Sequence, residues 1–124
     1  VGGYVPGCMQ RSANPALTVI NGGLDGQLRY ARMEAQGSLL VTGMTFTGFI
    51  QIDFGRGDWG SPATGSTIVE RNLFHFNDTS GSSGALVVVY AAMEGPQGEA
   101  RTIVRNNVFR DNVTGAALTI NHSG

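Results

Sequence analysis

The chain contains no lysine: its eight basic residues are all arginine, set against nine acidic ones for a net charge of −1. Without a basic excess it is not a nucleic-acid binder working through a basic patch, nor a ligand of anionic membrane surfaces. Cysteine occurs once, as Cys8, which excludes an internal disulfide and a zinc cluster. Cys8 reads first as a small buried hydrophobe and alternatively as one half of an intermolecular pair. No run of 18 apolar residues is present to cross a bilayer as a helix. Charge is sparse at 14%, but 41% of residues are hydrophobic, which places the chain among folded proteins and not disordered ones. Its 124 residues suit one domain. The opening Val1-Gly2-Gly3 shows neither a starting methionine nor a secretory signal, and reads as a processed chain or a piece of a longer one.

What the chain has in quantity is glycine, 19 residues, and a repeat. Valine is followed at the third position by a turn residue, at the fifth by a large apolar residue and at the eighth by a corner residue. The pattern runs Val69, Asn72, Phe74, Asn77 and again Val104, Asn107, Phe109, Asn112. Upstream it runs Val41, Met44, Phe46, Phe49, and earlier still Val19, Gly22, Leu24, Gln27. Successive copies are offset by 22, 28 and 35 residues. The segments between the marks are short, rich in Val, Ile, Thr and Phe, and punctuated by Gly, Asn and Ser, so they read as strands and turns. No stretch of 12 residues holds helical periodicity without a glycine or a β-favouring run.

A parallel β-solenoid follows, all-β, with equivalent residues of successive coils stacked about 4.8 Å apart. Val19, Val41, Val69 and Val104 are expected in one inward column, and Leu24, Phe46, Phe74 and Phe109 in a second. Asn72 and Asn107 are expected to stack at a bend and to hydrogen-bond along the axis. Residues 53–66 and 91–100 read as two larger loops on one side. Residues 1–15 read as an irregular segment, a cap or an inter-subunit contact, and 16–124 as the β-helix domain.

Over residues 16–121, with the segment IVRNNVFRDNVTGAALTI as its clearest part, the chain resembles the right-handed parallel β-helix, or pectin-lyase-like, superfamily. It is closest to the surface repeats of polymorphic outer-membrane proteins. The resemblance implies a right-handed β-helix of about four coils. Because that fold hosts lyases, hydrolases, epimerases, adhesins and filaments, it implies no single activity.

The sequence lacks the polygalacturonase-type motifs that would supply converging carboxylates. A lyase of this fold uses an arginine or lysine base beside carboxylate-bound calcium. The candidates here are Arg71, Arg105 and Arg110 with Asp53, Asp58, Glu70 and Asp111, among which Asp53 and Asp58 form a candidate calcium pair. Neither His75 nor His122 has a catalytic setting. Arg56-Gly57-Asp58 is an RGD tripeptide, but so short a motif in a glycine-rich loop carries no assignment. Asn77, Asn112 and Asn121 each begin an N-glycosylation acceptor. An inward corner would lock Asn77 and Asn112 into a ladder, an outward one would expose them; the threonine after both favours glycosylation of at least one.

Leu118–Ile120 is a strong strand with no amphipathic capping helix after it, and an uncovered edge invites pairing. The expectation is an extracellular or cell-surface structural or adhesive solenoid module, part of a surface glycoprotein or a head-to-tail filament, non-catalytic and without a cofactor. It self-associates or continues into further coils. The alternative is a lyase-type or carbohydrate-binding β-helix fragment.

Overall fold

The computed structural model describes residues 18–23, 29–35, 37–55, 65–80, 84–91 and 101–121. Among them there are eleven short strands and no helix: β1 (Val19–Asn21), β2 (Tyr30–Met33), β3 (Leu39–Thr42), β4 (Thr45–Thr47), β5 (Gln51–Phe54), β6 (Thr67–Glu70), β7 (Leu73–His75), β8 (Val87–Tyr90), β9 (Thr102–Arg105), β10 (Val108–Arg110) and β11 (Leu118–Asn121). They pair in parallel into three sheets: sheet A in the order β1-β4-β7-β10, sheet B in the order β2-β5-β8-β11, and sheet C in the order β3-β6-β9. The chain visits the sheets in a fixed cycle and returns to each beside its previous strand. The result is an all-β, solenoid-like stack of layers.

The strands form where β-branched and aromatic residues alternate with polar ones, turning one side chain in two toward the interior. Sheet C contributes the column Val41, Val69 and Val104 in direct register. Sheet B contributes Ile52 against Val87 and Phe54 against Val89, all four almost fully buried. Sheet A contributes aromatic rings: Phe74 lies flat between Phe46, at 5.0 Å, and Phe109, at 4.8 Å. Phe54 meets both Phe46 and Phe74 edge-on at 5.6 and 6.3 Å, tying sheet B to sheet A across the interior. Such ring pairs add about 0.5–1.5 kcal/mol each beyond area burial.

The earliest repeat copy is corrected here. Val19 does not stack on Val41; it pairs with Thr45 in sheet A, is 55% exposed, and leaves Ile20 to pair with Phe46 in the aromatic column. The segment Val19-Ile20-Asn21 is thus equivalent to Thr45-Phe46-Thr47, the second strand of a layer and not the first. A three-residue strand with one central apolar side chain fits either place by pattern, and the glycines after it mimicked a repeat mark. Leu24 lies outside the described residues. A smaller correction concerns Asp53 and Phe54, expected at the start of a loop: both belong to β5, where Phe54 is wholly buried.

The bends between sheets C and A and between A and B are made by one left-handed residue each. Gly43, Arg71 and Asn106 hold φ of 68°, 56° and 56° in successive layers at the first bend; Gly48, Phe76 and Asp111 hold 75°, 54° and 53° at the second. A single left-handed residue reverses the local twist and turns the strand sharply, at about 1–2 kcal/mol for a side chain other than glycine. At Gly48 glycine is required twice over, because a Cβ there would also lie 2.9 Å from the Gly23 carbonyl oxygen. The two long connections, from β5 to β6 and from β8 to β9, both run from sheet B to sheet C and so leave the stack at the same corner.

Candidate functional site

The most organised polar structure lies just after the left-handed residues. A bend interrupts the strand ladder and leaves a backbone N–H in each layer that must find another partner. A carboxamide carries a donor and an acceptor on one planar group, which is why asparagine suits this position. Asn72 Oδ1 accepts from Met44 N–H at 3.1 Å, and its Nδ2 donates to Val41 O at 3.0 Å. One layer on, Asn107 Oδ1 accepts from Asn72 N–H at 3.0 Å and its Nδ2 donates to Val69 O at 2.9 Å.

The second bend repeats the device. Asn77 Oδ1 accepts from Phe49 N–H at 2.9 Å and its Nδ2 donates to Phe46 O at 3.1 Å. Asn112 Oδ1 accepts from Asn77 N–H at 3.0 Å and its Nδ2 donates to Phe74 O at 2.9 Å. The amides also bond to each other along the axis, Asn72 to Asn107 at 3.1 Å and Asn77 to Asn112 at 2.9 Å. Each asparagine therefore reaches back and clamps the preceding layer at two backbone atoms.

This geometry corrects the glycosylation reading of Asn77 and Asn112. Asn77 is 1% exposed, and the Nδ2 of both residues, the atom a glycan would replace a proton on, is turned inward onto carbonyl oxygens. The corner asparagine faces in because only there does it satisfy the backbone that the bend breaks. Asn121, on β11, is exposed, while His122 and Ser123 of its acceptor triplet lie outside the described residues.

A second polar group sits on the outer face of sheet B. Asp53 alternates with the inward Ile52 and Phe54, yet is only 1% exposed. Its Oδ2 accepts a hydrogen bond from the Tyr30 hydroxyl and a longer one, 3.4 Å, from Tyr90. Its Oδ1 accepts from Gln51 Nε2 at 2.9 Å, and Arg32 stands beside it in register on β2. Burial and then the Asp53 carboxylate push the Tyr30 phenol up to about 12; Tyr90 is raised by the same two causes. Both tyrosines therefore stay neutral donors over the physiological range. Sequence reading picked Asp53 but missed Tyr30, Gln51 and Tyr90, because their convergence depends on outward positions of three different layers. Aligning β2, β5 and β8 by their inward residues would have found it.

Asp58, the proposed calcium partner of Asp53, lies outside the described residues, as do Arg56, Gly57, Cys8 and His122. Among the described residues no group of three or more His, Cys, Asp or Glu side chains converges. The arginines and acids weighed as a lyase site do not gather. Arg105 Nε bonds Glu70 Oε2 at 2.7 Å on the outside of sheet C, Arg110 pairs with the adjacent Asp111 at 3.8 Å, and Arg71 is an exposed bend residue. His75 packs its ring on Phe76 at 4.2 Å, with Nδ1 buried and without a hydrogen-bond partner.

An open groove of about 510 Å³ runs beside the second bend, lined by Thr79, Ser80, Ala85, Thr114, Ala116 and Thr119 among others. Two of its hydroxyls are already engaged, Thr79 with Val113 O and Thr114 with Ala116 O. Comparison with known protein families, curated proteins and solved structures returns no match to this chain.

Proposed function

We propose that the chain is a module of a right-handed parallel β-helix of about four coils, as its resemblance to the pectin-lyase-like superfamily implies. Its role in this reading is structural or adhesive, at the cell surface or outside the cell, and not catalytic. The observation that carries the reading is the repetition of one layer's inward residues by the next, Val69 by Val104, Phe74 by Phe109 and Val87 by Leu118. Val69, Phe74 and Val87 are 1%, 0% and 1% exposed, whereas their neighbours one layer on, Val104, Phe109 and Leu118, are only half-buried, and Ile120 is 46% exposed. The same residues that make a core in one layer make an apolar end face in the next. Among the described residues the strands β9, β10 and β11 each stand at one edge of their sheet. Layers that repeat the same inward residues suit a scaffold module, whose side chains serve packing between layers.

Supporting it, the described polar groups serve the stack. The asparagines bond along the axis, Glu70 is held by Arg105 across adjacent strands, and Asp53 is enclosed by hydroxyl and amide donors. The test is incubation of the protein with polyuronates and calcium while following ultraviolet absorbance of unsaturated products. No turnover is expected; turnover that disappears in Arg105→Ala or Asp53→Ala would overturn the reading. The carbohydrate-binding alternative draws on the hydroxyl-lined groove beside Thr79 and Thr114. It is checked by oligosaccharide titration of the protein against Thr119→Val.

A further inference from the structure

We infer that Tyr30, Asp53 and Tyr90, on the outer face of sheet B, form a binding site for a trivalent metal ion, and that ferric iron is the ion their chemistry fits. The site is separate from the corner asparagines and from the groove beside Thr79, and the structural reading above stands or falls without it.

Three oxygen donors converge on one point. The residues lie on β2, β5 and β8, neighbouring strands of sheet B, and so come from three layers. Both phenol oxygens meet the same carboxylate oxygen, Asp53 Oδ2, the Tyr30 hydroxyl closely and that of Tyr90 at 3.4 Å. The other carboxylate oxygen, Oδ1, accepts from Gln51 Nε2 at 2.9 Å. That bond fixes the plane of the carboxyl group and leaves Oδ2 facing the phenols, as an outer-shell donor orients a metal-ligating carboxylate. Adjacent oxygens around a six-coordinate ion held at about 2.0–2.1 Å lie about 2.9 Å apart. Small shifts of the two phenols therefore seat an ion between them and Oδ2. Asp53 is 1% exposed and Val88, in register with it, 6%, so the floor of the site is closed to water; Tyr30, at 52%, is the open side by which an ion enters.

Charge selects the ion. A phenol in water keeps its proton to about pH 10, so at neutral pH only a strongly polarising cation displaces it. Calcium and magnesium take carboxylate and carbonyl oxygens instead. Release of both phenol protons to solvent leaves two phenolates and one carboxylate, three negative charges that balance an ion of charge three. Donors that are all oxygen suit a hard ion, and tyrosine oxygen is a known ligand of iron. Arg32, in register with Asp53, is the opposing charge, and Glu34 pairs with it at 3.3 Å.

The experiment titrates the full chain with ferric nitrilotriacetate at neutral pH and follows visible absorbance. The expected result is a phenolate-to-iron charge-transfer band that saturates at one iron per chain, with two protons released per iron. The urea midpoint should rise with iron, because the ion binds only the folded stack. Tyr30→Phe and Tyr90→Phe keep the rings and remove the oxygens, and each is expected to weaken iron binding by about tenfold or more; Asp53→Asn should abolish the band. Tyr4→Phe, which removes the remaining tyrosine of the chain, should leave the band unchanged. No band in the parent chain would overturn the site. So would iron bound without colour, or a band that survives when Tyr30 and Tyr90 are both replaced by phenylalanine in a chain whose far-ultraviolet circular dichroism matches the parent.

Discussion

Truncating Asn72 tests the physical basis of the fold at one atom group. The side chain is 1% exposed and makes three hydrogen bonds. In Asn72→Ala, Asn107 Oδ1 keeps its bond from Asn72 N–H, so that oxygen stays satisfied. Met44 N–H does not: it lies between β3 and β4 and loses its partner, whereas Val41 O, inside the β3–β6 pairing, loses only its side-chain donor. At about 1–3 kcal/mol for a backbone group left unpaired inside the protein, the expected loss is about 1–3 kcal/mol. A domain of this size has about 5–15 kcal/mol in total. Urea unfolding followed by far-ultraviolet circular dichroism measures the loss, and faster exchange of the Met44 amide locates it. Asn72→Asp adds a sign test. A neutral carboxyl has the donor and acceptor that the amide has; a carboxylate has acceptors only and would face Val41 O. Burial and that carbonyl raise the folded-state pKa of the new acid above its ordinary value of about 3.9. Its contribution, relative to the parent chain at each pH, is then fully present below about 3.9 and is lost as pH rises through the folded value. A change within about 0.5 kcal/mol for Asn72→Ala, or a better relative stability of Asn72→Asp at neutral pH than in acid, would refute the clamp.

Phe74→Ala removes the middle ring of the aromatic column and is expected to cost about 3–5 kcal/mol in the same unfolding assay; a near-neutral outcome would mean the rings do not form the core. Arg71→Gly relieves a left-handed side-chain residue and is expected to raise stability by up to about 1 kcal/mol, read as a shift in urea midpoint at constant slope; a loss would mean the Arg71 side chain contributes more than its backbone costs. The Tyr30 phenol, held at about 12 by burial and Asp53, contributes stability that is intact below about pH 10 and is lost as pH rises through 12. Phenolate absorbance in Asp53→Asn should titrate at lower pH than in the parent, and an unchanged midpoint would show that Tyr30 does not depend on the carboxylate.

The strong repeat copies were legible because two independent constraints act on the same residues. Phe46, Phe74 and Phe109 are large apolar residues with fixed spacing from a turn, so one-dimensional pattern and three-dimensional stacking agree. The early copy misled because Val19-Ile20-Asn21 is too short for periodicity to fix its register; only pairing with β4 shows that Ile20, and not Leu24, continues the column from Phe46. The corner asparagines stood at an ambiguity that composition cannot resolve. Asn77 and Asn112 fit a glycosylation acceptor and a buried clamp equally well as sequence. What decides is that the bend leaves Phe49 N–H outside the strands, and the carboxamide reaches both it and Phe46 O.

The sequence by itself determined that the chain is β, that its layers repeat, and that Val, Phe and Asn recur at the positions that matter, because spacing along the chain is a local property. The tertiary structure alone decided which strand lies on which, that Tyr30, Gln51 and Tyr90 meet at Asp53, and that the asparagines point inward. Those facts depend on register between segments 21 to 37 residues apart, and register is set by the whole stack of layers and not by any one of them.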